Sequence, residues 1–181
     1  EPTIQRQGDE RILIQLPGVK DPDRVKRLLG KTAKMTFRFV DMSTSVADAL
    51  RGRVPPGSQL LEQEPRADDK GPPRRYVVRK RVMVSGESLV DSQPTYDQGR
   101  PVVSFRFDAV GAKRFGDATS KNVGRLFAIV LDGKVVSAPE IQSPILGGTG
   151  IITGGFTVQT ANDLAVLLRA GALPAPLKIL E

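Results

Sequence analysis

Neither histidine nor cysteine occurs in the chain. Their absence removes the commonest general base near neutral pH, the commonest metal ligand, the thiolate nucleophile and every disulfide. Ser-His-Asp and Cys-His sites are therefore impossible, and the groups to weigh first are carboxylates. Those are plentiful, yet nothing in their spacing marks a pair: Asp68-Asp69 sits in a charged stretch, and Asp132 reads as a turn residue. A carboxylate pair spread across the fold, as in a small hydrolase, stays open. No calcium-loop spacing occurs. The Gly-rich run at 147–150 lacks the Lys-Ser/Thr of a phosphate loop and the strand-turn-helix order of a dinucleotide site. The residues thus point to no catalytic group, no cofactor and no metal.

Two other sets are better suited to binding. Between positions 66 and 81 lie Arg66, Lys70, Arg74, Arg75, Arg79, Lys80 and Arg81 against Asp68 and Asp69, in a chain of formal charge +7 and pI near 10.0. Arg74, Arg75, Arg79, Lys80 and Arg81 are the candidate contact with a membrane or partner, since such a block attracts anionic lipid, an acidic protein surface or nucleic acid; the plain alternative is a solvated face. A basic nucleic-acid-binding module is the main rival on composition. Against it, the aromatic RNP pattern is missing, and the alternation of Phe105 and Phe107 suits a core equally well. The second set is Ile141, Ile145, Leu146, Ile151 and Ile152, set among glycines. It reads as an apolar edge open to an extended polypeptide, or as core with turn glycines.

The elements that must position these residues follow from periodicity. Hydrophobic residues make up 39% and charged residues 26% of 181 positions, the balance of an ordinary globular protein with one domain or two small ones. Ile12, Ile14 and Leu16 alternate as a strand; Asp21-Pro22 opens a helix striped by Val25, Leu28 and Leu29; Met35, Phe37 and Phe39 alternate as a second strand. Both strands are expected in one sheet. Residues 42–75, with Pro55-Pro56-Gly57 and Gly71-Pro72-Pro73, read as an exposed loop or linker around a helical turn at 47–50. A strand pattern covers 76–84, and residues 85–100 read as turns. Val103, Phe105 and Phe107 form a strand, Asp108 caps a helix to about Asn122, and Gly124 stops it. The apolar run 126–131, then Asp132-Gly133 and residues 134–138, carries the strongest short hairpin signal. A short strand at Ile151-Ile152, a helix opened by a Thr160/Asp163 capping box with Leu164, Leu167 and Leu168 in a stripe, and a closing strand at 177–180 complete the chain. No run nears the roughly 18 apolar residues that span a bilayer, and the polar opening carries no secretory signal, so the chain reads as a soluble piece.

The ordered series of segments resembles the first periplasmic domain of the SecD family. Residues 1–8 leading into Arg11-Ile12-Leu13-Ile14-Gln15-Leu16-Pro17-Gly18-Val19 look like the stretch after that family's first membrane helix, and Thr36-Phe37-Arg38-Phe39-Val40 resembles its second base strand. Residues 85–92 resemble its entry to the head. Asn122-Val123-Gly124, the segment 131–139 and the segment 151–157 resemble the head core, and Leu167-Leu168-Arg169-Ala170-Gly171-Ala172-Leu173-Pro174-Ala175-Pro176 resembles the approach to the second membrane helix. The chain looks like a compact version, without the longer insertions some members carry.

This resemblance implies an α+β fold with a ferredoxin-like base of mixed or antiparallel sheet plus helices, and an inserted α+β head. The base is expected at 1–84 with 172–181, its residues 42–75 forming an exposed loop, and the head at 85–171. Hinges are expected at Ser85 and Gly86, or earlier at Pro72-Pro73, and on the return at Gly171. The implied role is capture of emerging unfolded secretory polypeptide on the periplasmic side of the bacterial inner membrane. Head and base motion would assist proton-gradient-driven export together with SecF and the SecYEG channel. The proton-carrying carboxylate of the family belongs to membrane helices that this chain does not contain.

Overall fold

The computed structural model describes residues 3–7, 11–15, 34–65 and 69–171, with side chains from residue 34 to 169 among them. The expected helix at 22–30 and closing strand at 177–180 lie outside these residues. Strand β1 (Thr3–Gln7) pairs antiparallel with β2 (Arg11–Gln15).

The alternation at Met35, Phe37 and Phe39 makes β3 (Met35–Phe39) a strand with one face in the core. Beyond it come α1 (Val46–Leu50), β4 (Ser58–Glu62), β5 (Arg75–Arg79), β6 (Val84–Ser85), a 3-10 turn (Gly86–Ser88), β7 (Leu89–Asp97) and β8 (Arg100–Phe107). The chain continues through α2 (Ala109–Ser120), β9 (Phe127–Leu131), β10 (Lys134–Ser137), β11 (Thr149–Ile152) and α3 (Val158–Gly171). The strands form a four-stranded sheet in the order β10-β9-β3-β6, a three-stranded sheet β11-β8-β7, and the ribbon β4-β5. Among the described residues every pair of these strands is antiparallel, and the class is α+β.

Six of the seven phenylalanines, at 37, 39, 105, 107, 115 and 127, meet in one cluster between the two larger sheets and α2. Phe37 is its hub, with ring centroids 5.3 to 5.6 Å from Phe105, Phe107, Phe115 and Phe127. Such offset and edge-on pairs contribute about 0.5–1.5 kcal/mol each beyond the area they bury. On the other face of the four-stranded sheet Ala128, Val130 and Val135 meet Val40 and Val78, a second, smaller core beneath the ribbon. Strand β9 is thus buried on both faces, which is why its sequence is a continuous apolar run.

Several expectations change. The strands at 11–16 and 34–40 do not share a sheet among the described residues: β2 has β1, and β3 has β6 and β9. Because β3 pairs with β9, strands from the expected base and the expected head lie in one sheet, and the expected boundary between residues 84 and 85 runs through it. Residues 42–75 are not a free linker. Leu61 and the aromatic Tyr76 pack against the small core, so β4 has apolar reason to pair with β5 over its whole length. Residues 85–100 are not turns but the long edge strand β7 and its hairpin with β8. Pro94 sits inside it, tolerated because an edge strand has one side free of ladder bonds. Finally, α3 opens three residues before the expected Thr160/Asp163 box. Thr157 and Thr160 cap reciprocally, each backbone N–H donating to the other's Oγ1 at 3.1 and 2.8 Å.

Candidate functional site

The apolar set chosen from the sequence divides between core and surface. Ile141 and Ile152 are core residues, 5% and 1% exposed, and Ile145 is half-buried against the core. Leu146 and Ile151 are 72% and 45% exposed. Both belong to a segment that is held firmly. The Ile141 N–H donates to the Arg125 carbonyl, the Ile145 N–H to Oγ1 of buried Thr119 at 2.9 Å, and the Phe107 N–H to the Gly148 carbonyl. Oγ1 of Thr119 in turn donates to the Phe115 carbonyl at 2.8 Å, so the loop before β11 is tied to α2.

The glycines of this segment are required by packing. Gly148 has a φ of +71°, and a Cβ there would lie 2.6 Å from that of Ala112. At Gly150 a Cβ would come 2.5 Å from the Phe105 ring, so only glycine lets β11 cross above it. Among the described residues, strand β11 is bonded to β8 on one side and ends the sheet on the other. Its outer row of backbone donors and acceptors is the kind of edge to which an extended chain adds by pairing.

Beyond β11, Gly154, Gly155 and Phe156 enter a groove of about 420 Å³ between the β9-β10 hairpin and α3. Leu131, Val136, Phe156, Leu164 and Leu167 form its apolar floor. Its rim carries Glu64, Asp132 and Asp163 against Lys134, which lies 4.0 Å from Glu64. The hairpin that makes one wall is fixed by Asp132 and Gly133, both with positive φ. The other wall, α3, is fastened to β7 by Arg169, whose guanidinium donates to Asp91 at 3.1 Å. Sequence reading missed this groove because its lining comes from four separate segments.

The basic set also divides. Arg74 precedes β5 and Arg75 begins it, donating to Glu62 at 3.1 Å. Arg79 ends the strand, four residues or about 13 Å away, and is followed by Lys80 and Arg81; all three are exposed. Beside Arg79 the Asp41 carboxylate is buried. It accepts from Ser43 Oγ at 2.6 Å, Ser43 N–H at 3.0 Å and Ser58 Oγ at 2.7 Å. The Ser43 and Ser58 hydrogen bonds, with a smaller contribution from Arg79, lower its pKa from 3.8 to about 2. Phe105 and Phe107, the strand aromatics an RNA platform would need on its surface, are both core residues.

The expected hinge residues sit in different settings. Ser85 pairs with Thr36 of β3, and Gly86 is buried so close to Met35 that a Cβ would lie 3.2 Å from the Met35 carbonyl oxygen. That segment is anchored to the sheet and is not a free crossing. Gly171 ends α3.

Comparison with known proteins gives this arrangement a family. The profile of the SecDF P1 head subdomain matches residues 58–175, and that of the N-terminal part of the SecDF P1 domain matches residues 1–42. The chain belongs to the SecD family. It is 50% identical along its whole length to the SecD protein translocase subunit of Rickettsia bellii, 50% to that of Rhodobacter capsulatus and 48% to that of Magnetococcus marinus. It spans about a third of those SecD proteins, 34%, 31% and 35% of their lengths. A match to a SecDF membrane component that enhances protein export covers 100% of this chain and 83% of that chain, with a TM-score of 0.59 and 39% identity. A SecDF in a super-membrane-facing form matches with a TM-score of 0.60 and 38% identity over 25% of its chain. SecD is a protein translocase subunit. Among the described residues, no helix is long and apolar enough to cross a membrane.

Proposed function

We propose that this chain is the periplasmic module with which a SecD subunit captures unfolded polypeptide emerging from the export channel. The observation that carries the reading is the outer edge of β11, open among the described residues, with exposed Leu146 and Ile151 on a segment pinned to α2. An edge offers backbone pairing to any sequence, and a few apolar side chains add affinity without demanding a particular residue. That combination suits a carrier of many different unfolded chains. The groove under Phe156 and Leu167 extends the same surface, and its mostly acidic rim favours segments that mix apolar and basic residues.

In the full-length protein this module works beside the inner membrane with SecF and the SecYEG channel, and motion between head and base passes the captured chain forward under the proton gradient. Gly171, at the end of α3, is the return crossing in this reading. The outward crossing at Ser85 and Gly86 would turn about an anchored point, since Ser85 pairs with Thr36 and Gly86 packs against Met35. Disulfide staples between the lobes should block export, and export unaffected by them would contradict the motion.

Capture is tested by placing a photoreactive side chain at position 151 of the full-length subunit and stalling an export precursor in the channel. Crosslinks from position 151, and none from buried position 152, are expected. Equal crosslinking from both, or from neither, would count against β11 as the contact.

A further inference from the structure

The Ser58/Arg79 end of the β4-β5 ribbon collects two kinds of side chain that seldom meet on a solvated surface. Around it lie five cations, Arg51, Arg53, Arg79, Lys80 and Arg81, all exposed. Two carboxylates are near. Asp41 is buried beneath Ser43 and Ser58, and Asp48 is 3.6 Å from Arg53. The surface charge is therefore strongly positive. Among these cations stand exposed apolar side chains: Met42 at 75% exposed, Leu50 at 55%, Val82 at 40% and Val46 at 37%.

Local bonding gathers these residues into one place. Helix α1 packs on β4 and β5. The loop after it closes on Asp48, whose carbonyl accepts from the Arg51 and Arg53 N–H groups, and the Lys80 N–H donates to the Gly57 carbonyl. Asp41, next to Met42, accepts from Ser58 at the start of β4 and donates its N–H to the Val77 carbonyl. Residues 42–57 and 79–82 thus ring a single end of the ribbon, away from Arg74 and Arg75.

We infer that this ring is a membrane-facing patch that seats on an anionic bilayer surface, with Arg51, Arg79, Lys80 and Arg81 among the lipid phosphates and Met42 and Leu50 dipping toward the acyl boundary. The inference rests on the proposed placement beside a membrane and is independent of polypeptide capture. Charge complementarity alone would admit an acidic protein partner. The interspersed apolar side chains favour lipid, because cations at headgroup level with hydrophobes between them is the pattern of interfacial binding, and long basic side chains reach the phosphates while their stems stay in apolar surroundings.

The test is co-sedimentation of the 181-residue chain with phosphatidylcholine vesicles, with and without phosphatidylglycerol, and binding to soluble polyglutamate as the protein-like probe. Binding to the anionic vesicles only is expected. Each basic side chain near such a surface contributes roughly fivefold in partitioning, so R79Q/K80Q/R81Q should lower it about a hundredfold. M42S/L50S should lower it about tenfold and leave it more sensitive to salt. R74Q, at the other end of the ribbon, should change it little. Anionic vesicles ignored by the unmodified chain, or bound equally by the triple variant, would overturn the inference. So would polyglutamate binding through the same residues with vesicles ignored. A chain that crosslinks precursor from position 151 yet ignores anionic vesicles removes this patch and leaves capture standing; the opposite pair of results does the reverse.

Discussion

Strands β9 and β11 are both short, apolar and close to glycine, yet they occupy opposite situations. Strand β9 lies between β10 and β3, with Phe127 and Ile129 in the aromatic core and Ala128 and Val130 in the small one. Among the described residues strand β11 has a neighbour on one side only, and it places Ile152 in the core while Ile151 faces out. Strand β9 spends its apolar surface on stability, whereas β11 keeps part of its own uncommitted on a rigid support. The proposed capture of many unrelated chains needs both: a scaffold that does not yield, and an edge still open to backbone pairing.

The largest effect should come from the scaffold. Phe37→Ala removes the ring that touches four others and leaves a cavity where β3, β8, α2 and β9 meet, a loss of about 3–5 kcal/mol. Urea unfolding measures it, and a loss below 1 kcal/mol would mean the aromatic cluster is not what holds the sheets together. Next is the support of the edge. Gly150→Ala forces a methyl group against the Phe105 ring and should cost about 1–3 kcal/mol, with hydrogen exchange accelerated most along β11. Uniform acceleration across both sheets would erase the distinction between scaffold and edge.

Asp41 gives the comparison a pH axis. Its folded pKa of about 2 lies below the unfolded value of 3.8, so the carboxylate contributes stability that is fully present above pH 3.8 and is lost as pH falls through 2. Asp41→Asn should destabilise by on the order of 1–2 kcal/mol at neutral pH. The gap from the unmodified chain should close on acidification, as read by urea midpoints, and a gap that persisted at the lowest pH would assign the loss to packing instead. The smallest effect on folding belongs to the edge itself. Ile151→Lys should change stability by less than about 0.5 kcal/mol, as expected of an exposed position, while weakening the binding of unfolded polypeptide. A large loss of stability at Ile151 would show that β11 is scaffold after all.

Much of the fold could be read from local signals that carry their own mechanism. Asp108 caps α2, its Oδ1 accepting from the Gly111 N–H at 2.8 Å, and Asp132-Gly133 makes the β9-β10 hairpin. The misses have physical reasons. Strand β7 was hidden by Pro94 and by a turn at Gln98-Gly99, where Gln98 adopts a φ of +48° that Asn or Gly usually supplies. Strand β4 was hidden because its reason to exist is the small core that Val40, Ala128, Val130 and Val135 bring from distant segments. The pairing of β3 with β9, nearly ninety residues later, leaves no trace in local periodicity. The candidate site was legible as a stretch of chain, but which of its residues face out was not. Burial of Ile152 and exposure of Ile151 follow from the single register that pairs β11 with β8.

The central claim, that the β11 edge receives unfolded polypeptide, is tested most directly by NMR titration of the isotopically labelled chain at physiological salt with an unfolded export precursor and, separately, with single-stranded RNA. Shifts clustered at Leu146, Thr149, Gly150, Ile151 and the groove around Phe156 with the precursor alone are predicted. Shifts confined to Arg79, Lys80 and Arg81, or evoked equally by RNA, would contradict it.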